Sequence, residues 1–221
     1  MKVAILVTHL LGTGHLARAA KIADALAQAG HDARVLSGGT AAPNAAPKHA
    51  KLSQLPPLRA DGPEFKALLQ EDGSEVDEDF LEDRCELTDS LLRDFAPDIL
   101  ITELYPFGRR KLAAEFKDAI RVVRDLNPKA LILTSIRDIL QMPRKPGRKE
   151  EAEAVFEDQY DGALFHGADA LIPLSGSWPL PEGLKSKLLE TGYIGGNERP
   201  EENTPAIQPL NQLIIQIGVC P

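Results

Sequence analysis

Cysteine is scarce in this chain, which carries only Cys85 and Cys220 among 221 residues. The two are far apart and lack metal-ligand spacing. Neither a disulfide framework nor a thiolate metal site is expected, and a reducing cytoplasm is the default compartment. Long apolar runs are lacking as well. After Lys2 the N-terminus offers only Val3 to Leu6, too short for the core of a secretory signal, and no stretch approaches the length needed to span a bilayer. Peripheral membrane contact, which needs only a patch, stays open. Aromatic residues make up 5%, and no basic stripe interleaves with them. With a net charge of -8, the chain is a poor partner for a nucleic-acid backbone. The acidity is concentrated between Glu71 and Glu86, a crowding that reads as a solvated loop and helix face. Against these absences stand 43% hydrophobic and 26% charged residues, ordinary globular values that allow a real core.

Val3-Ala-Ile-Leu-Val7 is a continuous apolar run and predicts a buried parallel strand. A glycine-bearing turn follows from Leu11 to His15. Leu16, Ala19, Ala20, Ala23, Leu26 and Ala27 then fall on one helical face, and Gly30 ends that helix. Ala33 to Leu36 predicts a second strand, stopped by Gly38-Gly39. Thr40 to Pro63, rich in Ala, Pro and Lys, reads as one long loop. Helices are expected over Glu64 to Leu69 and Asp79 to Phe95, the second ending before Pro97. Asp98 to Thr102 and Ala130 to Ser135 predict further strands, separated by a turn at Tyr105 to Gly108 and a helix from Arg110 to Leu126. After the basic loop Pro143 to Arg148 comes a helix over Glu150 to Tyr160. Ala163 to Phe165 and Ala170 to Ile172 are short apolar runs expected near the sheet edge. Strands alternating with helices call for an α/β fold, a doubly wound parallel sheet of Rossmann-like kind. Residues 1–197 form that domain in this reading. Residues 198–211 read as a polar, proline-rich linker, and residues 212–221 as the first strand of a second domain.

In such sheets ligands bind outside the carboxyl ends of the strands. The loop Gly12-Thr13-Gly14-His15 stands at the first such end. Gly12 and Gly14 are expected to let the backbone turn sharply and approach a ligand, and the following helix offers its N-terminal amides to an anion. Gly12 to Ala17 also matches the dinucleotide fingerprint G-x-G-x-x-A. That fingerprint expects a carboxylate closing the second strand, and Leu36-Ser37-Gly38 supplies none. His15 points elsewhere. An imidazole in the crevice can take a proton from a hydroxyl. Glu103 ends the strand that begins at Asp98. Adjacent parallel strands lie about 4.8 Å apart, so this carboxylate is placed to meet the imidazole and orient it.

Taken together, Gly12-Thr-Gly-His-Leu-Ala-Arg18, Ala23 to Gly30, Val35 to Gly39, Pro97 to Gly108, Ser135-Ile-Arg-Asp-Ile139 and Thr191-Gly-Tyr-Ile194 resemble bacterial glycosyltransferases of GT-B type. The group they resemble is the family 28 type, predicted glycosyltransferases related to the enzyme that adds N-acetylglucosamine to lipid-linked muramyl-pentapeptide. The resemblance implies the N-terminal, acceptor-side half of a two-domain enzyme, with the C-terminal, nucleotide-sugar-binding domain missing after Pro221. It implies that His15 is the general base and Glu103 its support, although relatives usually carry Asp at the second position. Gly12, Thr13, Gly14, Arg18 and Arg137 become candidates for acceptor or diphosphate contacts, with Arg109 a further candidate or a solvated surface group. No metal and no cofactor is implied beyond the nucleotide-sugar donor. The expected partners are a sugar or lipid-linked acceptor and a nucleotide-sugar held by a missing or separate domain, at the inner membrane face or in the cytoplasm. Two rivals remain: a nucleotide-sugar hydrolase sharing the G-x-G-H-x-x-R start, and a non-catalytic acceptor-side subunit of a split transferase.

Overall fold

The computed structural model describes residues 1–143 and 145–195. In chain order the elements are β1 (Lys2–Val7), α1 (Gly14–Gln28), β2 (Asp32–Gly39), β3 (Lys51–Ala60), β4 (Leu68–Leu69), α2 (Glu78–Phe95), β5 (Ile99–Glu103), α3 (Ala113–Leu126), β6 (Leu131–Arg137), α4 (Arg148–Gln159), β7 (Gly162–His166), α5 (Glu182–Ser186) and β8 (Leu188–Glu190). They build one sheet in the order β4-β3-β2-β1-β5-β6-β7-β8. Every pairing is parallel except that of the two-residue β4 with β3. The chain adds strands outward on one side of β1 and then crosses to the other side. The β1/β5 junction is therefore the switch point, where the flanking loops part and leave a crevice.

Alternate residues of β1 explain why both faces are covered. Val3, Ile5 and Val7 pack with Leu16, Ala19, Ile22 and Leu26 of α1. Ala4 and Leu6 face the opposite cluster, which holds Leu92 and Phe95 of α2, Phe116 and Ile120 of α3 and Phe156 of α4. A strand with both faces buried needs a continuous apolar run, which is what Val3 to Val7 provides. Helix α2 starts on Asp77, whose carboxylate accepts the Phe80 amide at 2.9 Å. It ends on the left-handed Ala96 ahead of Pro97. Each acidic residue from Glu71 to Glu86 is exposed, as a solvated face requires.

Three expectations are corrected. The long loop over Thr40 to Pro63 contains β3. Pro56 and Pro57 hid this strand, since proline cannot donate to a ladder. The pairing with β2 is regular from Lys51 to Gln54 and then shifts register before resuming at Leu58. The prolines sit in that irregularity, and Leu55 and Leu58 bury the strand on either side of them. Glu64 to Leu69 is not helical. Phe65 takes a left-handed conformation and Leu68–Leu69 pairs antiparallel with Arg59 and Ala60. Ala170 to Ile172 is an exposed turn, with Leu171 74% exposed. The edge strand beside β7 is instead β8, a three-residue element too short to show a period. The expected linker and second-domain strand, residues 198–221, lie outside the described residues.

The most demanding packing lies under the end of β2. Arg84 of α2 is fully buried and reaches Glu115 of α3 through two bonds of 2.9 and 3.0 Å. The same guanidinium donates to the carbonyls of Gly38, at 3.1 Å, and Pro56. A Cβ on Gly38 would overlap this guanidinium and the Thr8 hydroxyl. This is the physical reason why the second strand closes on glycine where a dinucleotide site would place a carboxylate. Gly38→Ala is expected to cost about 1–3 kcal/mol or more, as overpacking does, and a thermal melt would read it. An unchanged melting temperature would show that Arg84 is free to move.

Candidate active site

His15 is the second residue of α1, and Glu103 is the last residue of β5. Strand register places them together. Leu6 pairs with Thr102, so the loop leaving β1 passes beside Glu103. The His15 Nδ1–H donates to Glu103 Oε1 at 2.8 Å. Arg18, one helical turn along from His15, donates through NH2 to the same oxygen. Its NH2 also lies 3.3 Å from Nδ1. Both of those nitrogens carry protons, so they share one acceptor and do not bond each other.

The Glu103 side chain is completely buried and that of His15 is 23% exposed. With Nδ1 turned to the buried carboxylate, Nε2 points away from it. Among the described residues nothing bonds Nε2. Burial pushes the Glu103 carboxyl up, but the His15 hydrogen bond and the Arg18 charge outweigh it and hold the group at about 2. The carboxylate is thus ionised across the working range. In the neutral ring this arrangement selects the Nδ1–H tautomer and puts the lone pair on Nε2, away from Glu103.

The glycine loop is exposed from Leu11 to Gly14. Neither Gly12 nor Gly14 takes a positive φ, so the expected sharp turn does not need glycine's backbone freedom. What the glycines provide is space, since a Cβ on either would meet nothing within 4 Å. Thr13 occupies the N-cap of α1 without a side-chain cap, and the first turn carries no acidic residue. The first amides of α1 are accordingly open to an anion. A cavity of about 180 Å³ opens beside them, lined by Gly14, Ala17, Arg18 and Lys21 of α1, by His166 at the end of β7, and by Tyr193 and Ile194.

Arg109 is half-buried and not the solvated surface group that was one of its two readings. Its Nε donates to the Thr8 carbonyl at 2.6 Å, and burial lowers its pKa while the Glu103 charge raises it. Arg137 stands apart at the end of β6, more than half exposed, with Asp138 as its ion-pair partner at 3.5 Å. Four further residues here escaped sequence reasoning. His9 is buried against Gly39, and burial lowers its pKa. Ser135 donates to Glu103 Oε2 at 2.6 Å, His166 Nε2 lies 2.9 Å from Ser135 Oγ, and His166 Nδ1 lies 2.7 Å from Thr191 Oγ1. All four stand near or just past a strand's carboxyl end, the signal that would have singled them out, although for Thr191 that strand is the unforeseen β8.

Among the described residues no cluster of His, Cys, Asp and Glu could hold a metal ion. No helix among them is long and apolar enough to cross a membrane.

No family model matches the sequence, and no curated protein matches it. Solved structures do match the fold. The UDP-GlcNAc 2-epimerase of Methanocaldococcus jannaschii aligns at a TM-score of 0.52 and 12% identity, over 87% of this chain and 46% of its own. UGT73P12 of Glycyrrhiza uralensis, solved with glycyrrhetinic acid 3-O-monoglucuronide, aligns at 0.53 and 14%, over 87% and 48%. TcCGT1, solved with UDP, aligns at 0.50 and 13%, over 97% and 55%. The chain has the Rossmann-like fold of a GT-B domain and spans about half the length of the structures it matches. An epimerase is among these neighbours, so the fold does not select the reaction, which must be read from the site.

Proposed function

We propose that the chain is the acceptor-side half of a glycosyltransferase and that His15 is its general base. The observation that carries this is the His15–Glu103 pair at the switch point, with Nδ1 committed to a buried carboxylate and, among the described residues, no partner on Nε2. In the proposed step Nε2 takes the proton of an acceptor hydroxyl as its oxygen bonds the anomeric carbon. The bond from that carbon to the phosphate oxygen breaks, and the nucleoside diphosphate leaves with the electron pair. Glu103 stabilises the imidazolium so formed. The amides of Gly12 to Gly14, where the glycine loop enters α1, with Arg18 and Arg137, are the proposed contacts for acceptor or diphosphate oxygens, where oriented donors meet developing charge. The reaction so drawn uses no resident metal or cofactor. A sugar or lipid-linked acceptor suits the exposed glycine loop, and the donor nucleotide is assigned to a second domain, in the same or another polypeptide.

Nucleotide-sugar turnover tests the reading. Residues 1–221 alone are expected to bind UDP-sugars weakly and to release little UDP. A donor-binding domain supplied in trans, with a hydroxyl acceptor present, is expected to restore release that depends on the acceptor. Free sugar formed without any acceptor would replace transfer by hydrolysis. Efficient transfer by residues 1–221 alone would overturn the division of labour.

A further inference from the structure

The His15–Glu103 pair is one end of a longer chain of side chains crossing four elements. Glu103 on β5 accepts the Ser135 hydroxyl of β6 at 2.6 Å. Ser135 Oγ lies 2.9 Å from Nε2 of His166 on β7, and His166 Nδ1 lies 2.7 Å from the hydroxyl of Thr191, just past β8. Ser135, His166 and Thr191 are all buried, and each finds its partner in the next side chain of the row.

The proton positions along this chain are determined. An ionised carboxylate only accepts, so the single Ser135 proton goes to Glu103. Ser135 Oγ must then accept from His166 Nε2–H. Burial holds His166 at about 4, hence neutral, which leaves Nδ1 as an acceptor. Thr191 therefore donates to Nδ1. The Phe165 and Gly192 carbonyls also lie within reach of that hydroxyl, at 3.1 and 3.2 Å, but the Nδ1 contact is the shortest. Every bond points one way, from Thr191 through His166 and Ser135 to Glu103.

The geometry points to Ser135 and His166 as positioning residues for the His15 base: they hold Glu103 Oε2, so that Oε1 stays aimed at Nδ1 of His15. The inference rests on His15 being the base. It also joins the chemistry to the cavity beside the start of α1. His166 lines that cavity together with Tyr193 and Ile194, two and three residues past Thr191. The charged and titratable groups facing Glu103 are His15 and Arg18 from α1, Arg109 from the turn after β5, and His166 from β7.

Heteronuclear NMR of the free protein tests this without donor or acceptor, so failure of the transferase reading would not be mistaken for failure here. Wild-type His166 is expected as the neutral Nε2–H tautomer with a slowly exchanging proton. Ser135→Ala, which removes one hydroxyl and no carbon, should move the acid titration of the Glu103 carboxyl up by about one pH unit, because an anion has lost a donor. His166→Phe should do the same. His166→Gln, which keeps a donor at the Nε2 position, should return it to near the wild-type value. Glu103→Gln should reverse the chain. The new amide donates to Ser135, Ser135 to Nε2, and His166 becomes the Nδ1–H tautomer. A wild-type Nδ1–H tautomer would overturn the proposal. So would an unmoved Glu103 titration in a Ser135→Ala protein whose amide spectrum stays native. Should His166→Phe fail to fold, Ser135→Ala and Glu103→Gln still decide the matter.

Discussion

Replacing His15 with alanine is expected to lower the rate of acceptor-dependent transfer by about 10²- to 10⁴-fold, the contribution a positioned base makes. The effect should fall on kcat, because the imidazole takes the proton only as the acceptor oxygen attacks. Glu103→Gln is expected to lose a comparable amount despite its near-identical shape. Oε1 receives donors from His15 and Arg18, and Oε2 receives one from Ser135. An amide NH₂ placed at the first position confronts two donors. Placed at the second, it forces Ser135 to turn round. Either way the charge that stabilises the imidazolium is gone, and with the wrong orientation the Nε2 lone pair goes too. The check is steady-state kinetics with the donor side supplied. An H15A protein that keeps a kcat within about threefold of the parent would remove His15 from the proton transfer.

The second large effect is on stability. Arg84→Leu should lower unfolding free energy by about 3–5 kcal/mol, since it strands the Glu115 carboxylate with no partner. Glu115 is 2% exposed, so water does not replace the lost guanidinium. The carbonyls of Gly38 and Pro56 lose their donor in the same change. For a domain of this size the melting temperature should fall by about 10 °C. Removing both charges, as Arg84→Leu with Glu115→Leu, should recover much of the loss, because the buried unpaired ion is the main cost. Calorimetry of the three proteins separates these cases. A single variant that melts within about 2 °C of the parent would show that the pair is solvated in solution.

Much of the fold and the centre of the site were legible in the residues. Val3 to Val7 and Ile99 to Ile101 are apolar throughout because both faces of each strand are covered. Once two parallel strands were placed, the meeting of His15 and Glu103 followed from the rule that ligands gather at strand ends. The resemblance to GT-B glycosyltransferases reached the same fold that the solved structures display. Other parts were hidden for definite reasons. Pro56-Pro57 disguised β3, because its strand signal is interrupted where the ladder itself is interrupted. Leu188–Glu190 is too short to carry a period. Arg84 and Glu115 lie 31 positions apart, on two helices whose faces read as ordinary charged surface. Ser135, His166 and Thr191 belong to segments that were noticed for other reasons. A hydroxyl or imidazole at a strand end declares its partner only when the neighbouring strand is known, and β8 was not foreseen.

The tautomer of His15 is the measurement that bears most directly on the account. It is read from the two ring nitrogens of the free protein, above the pH at which the ring takes up a second proton. The expected result is a proton on Nδ1, shared with Glu103, and a bare Nε2 that shifts when an acceptor hydroxyl is bound. A proton found on Nε2 would contradict it, for a nitrogen already carrying a proton cannot accept one from the acceptor.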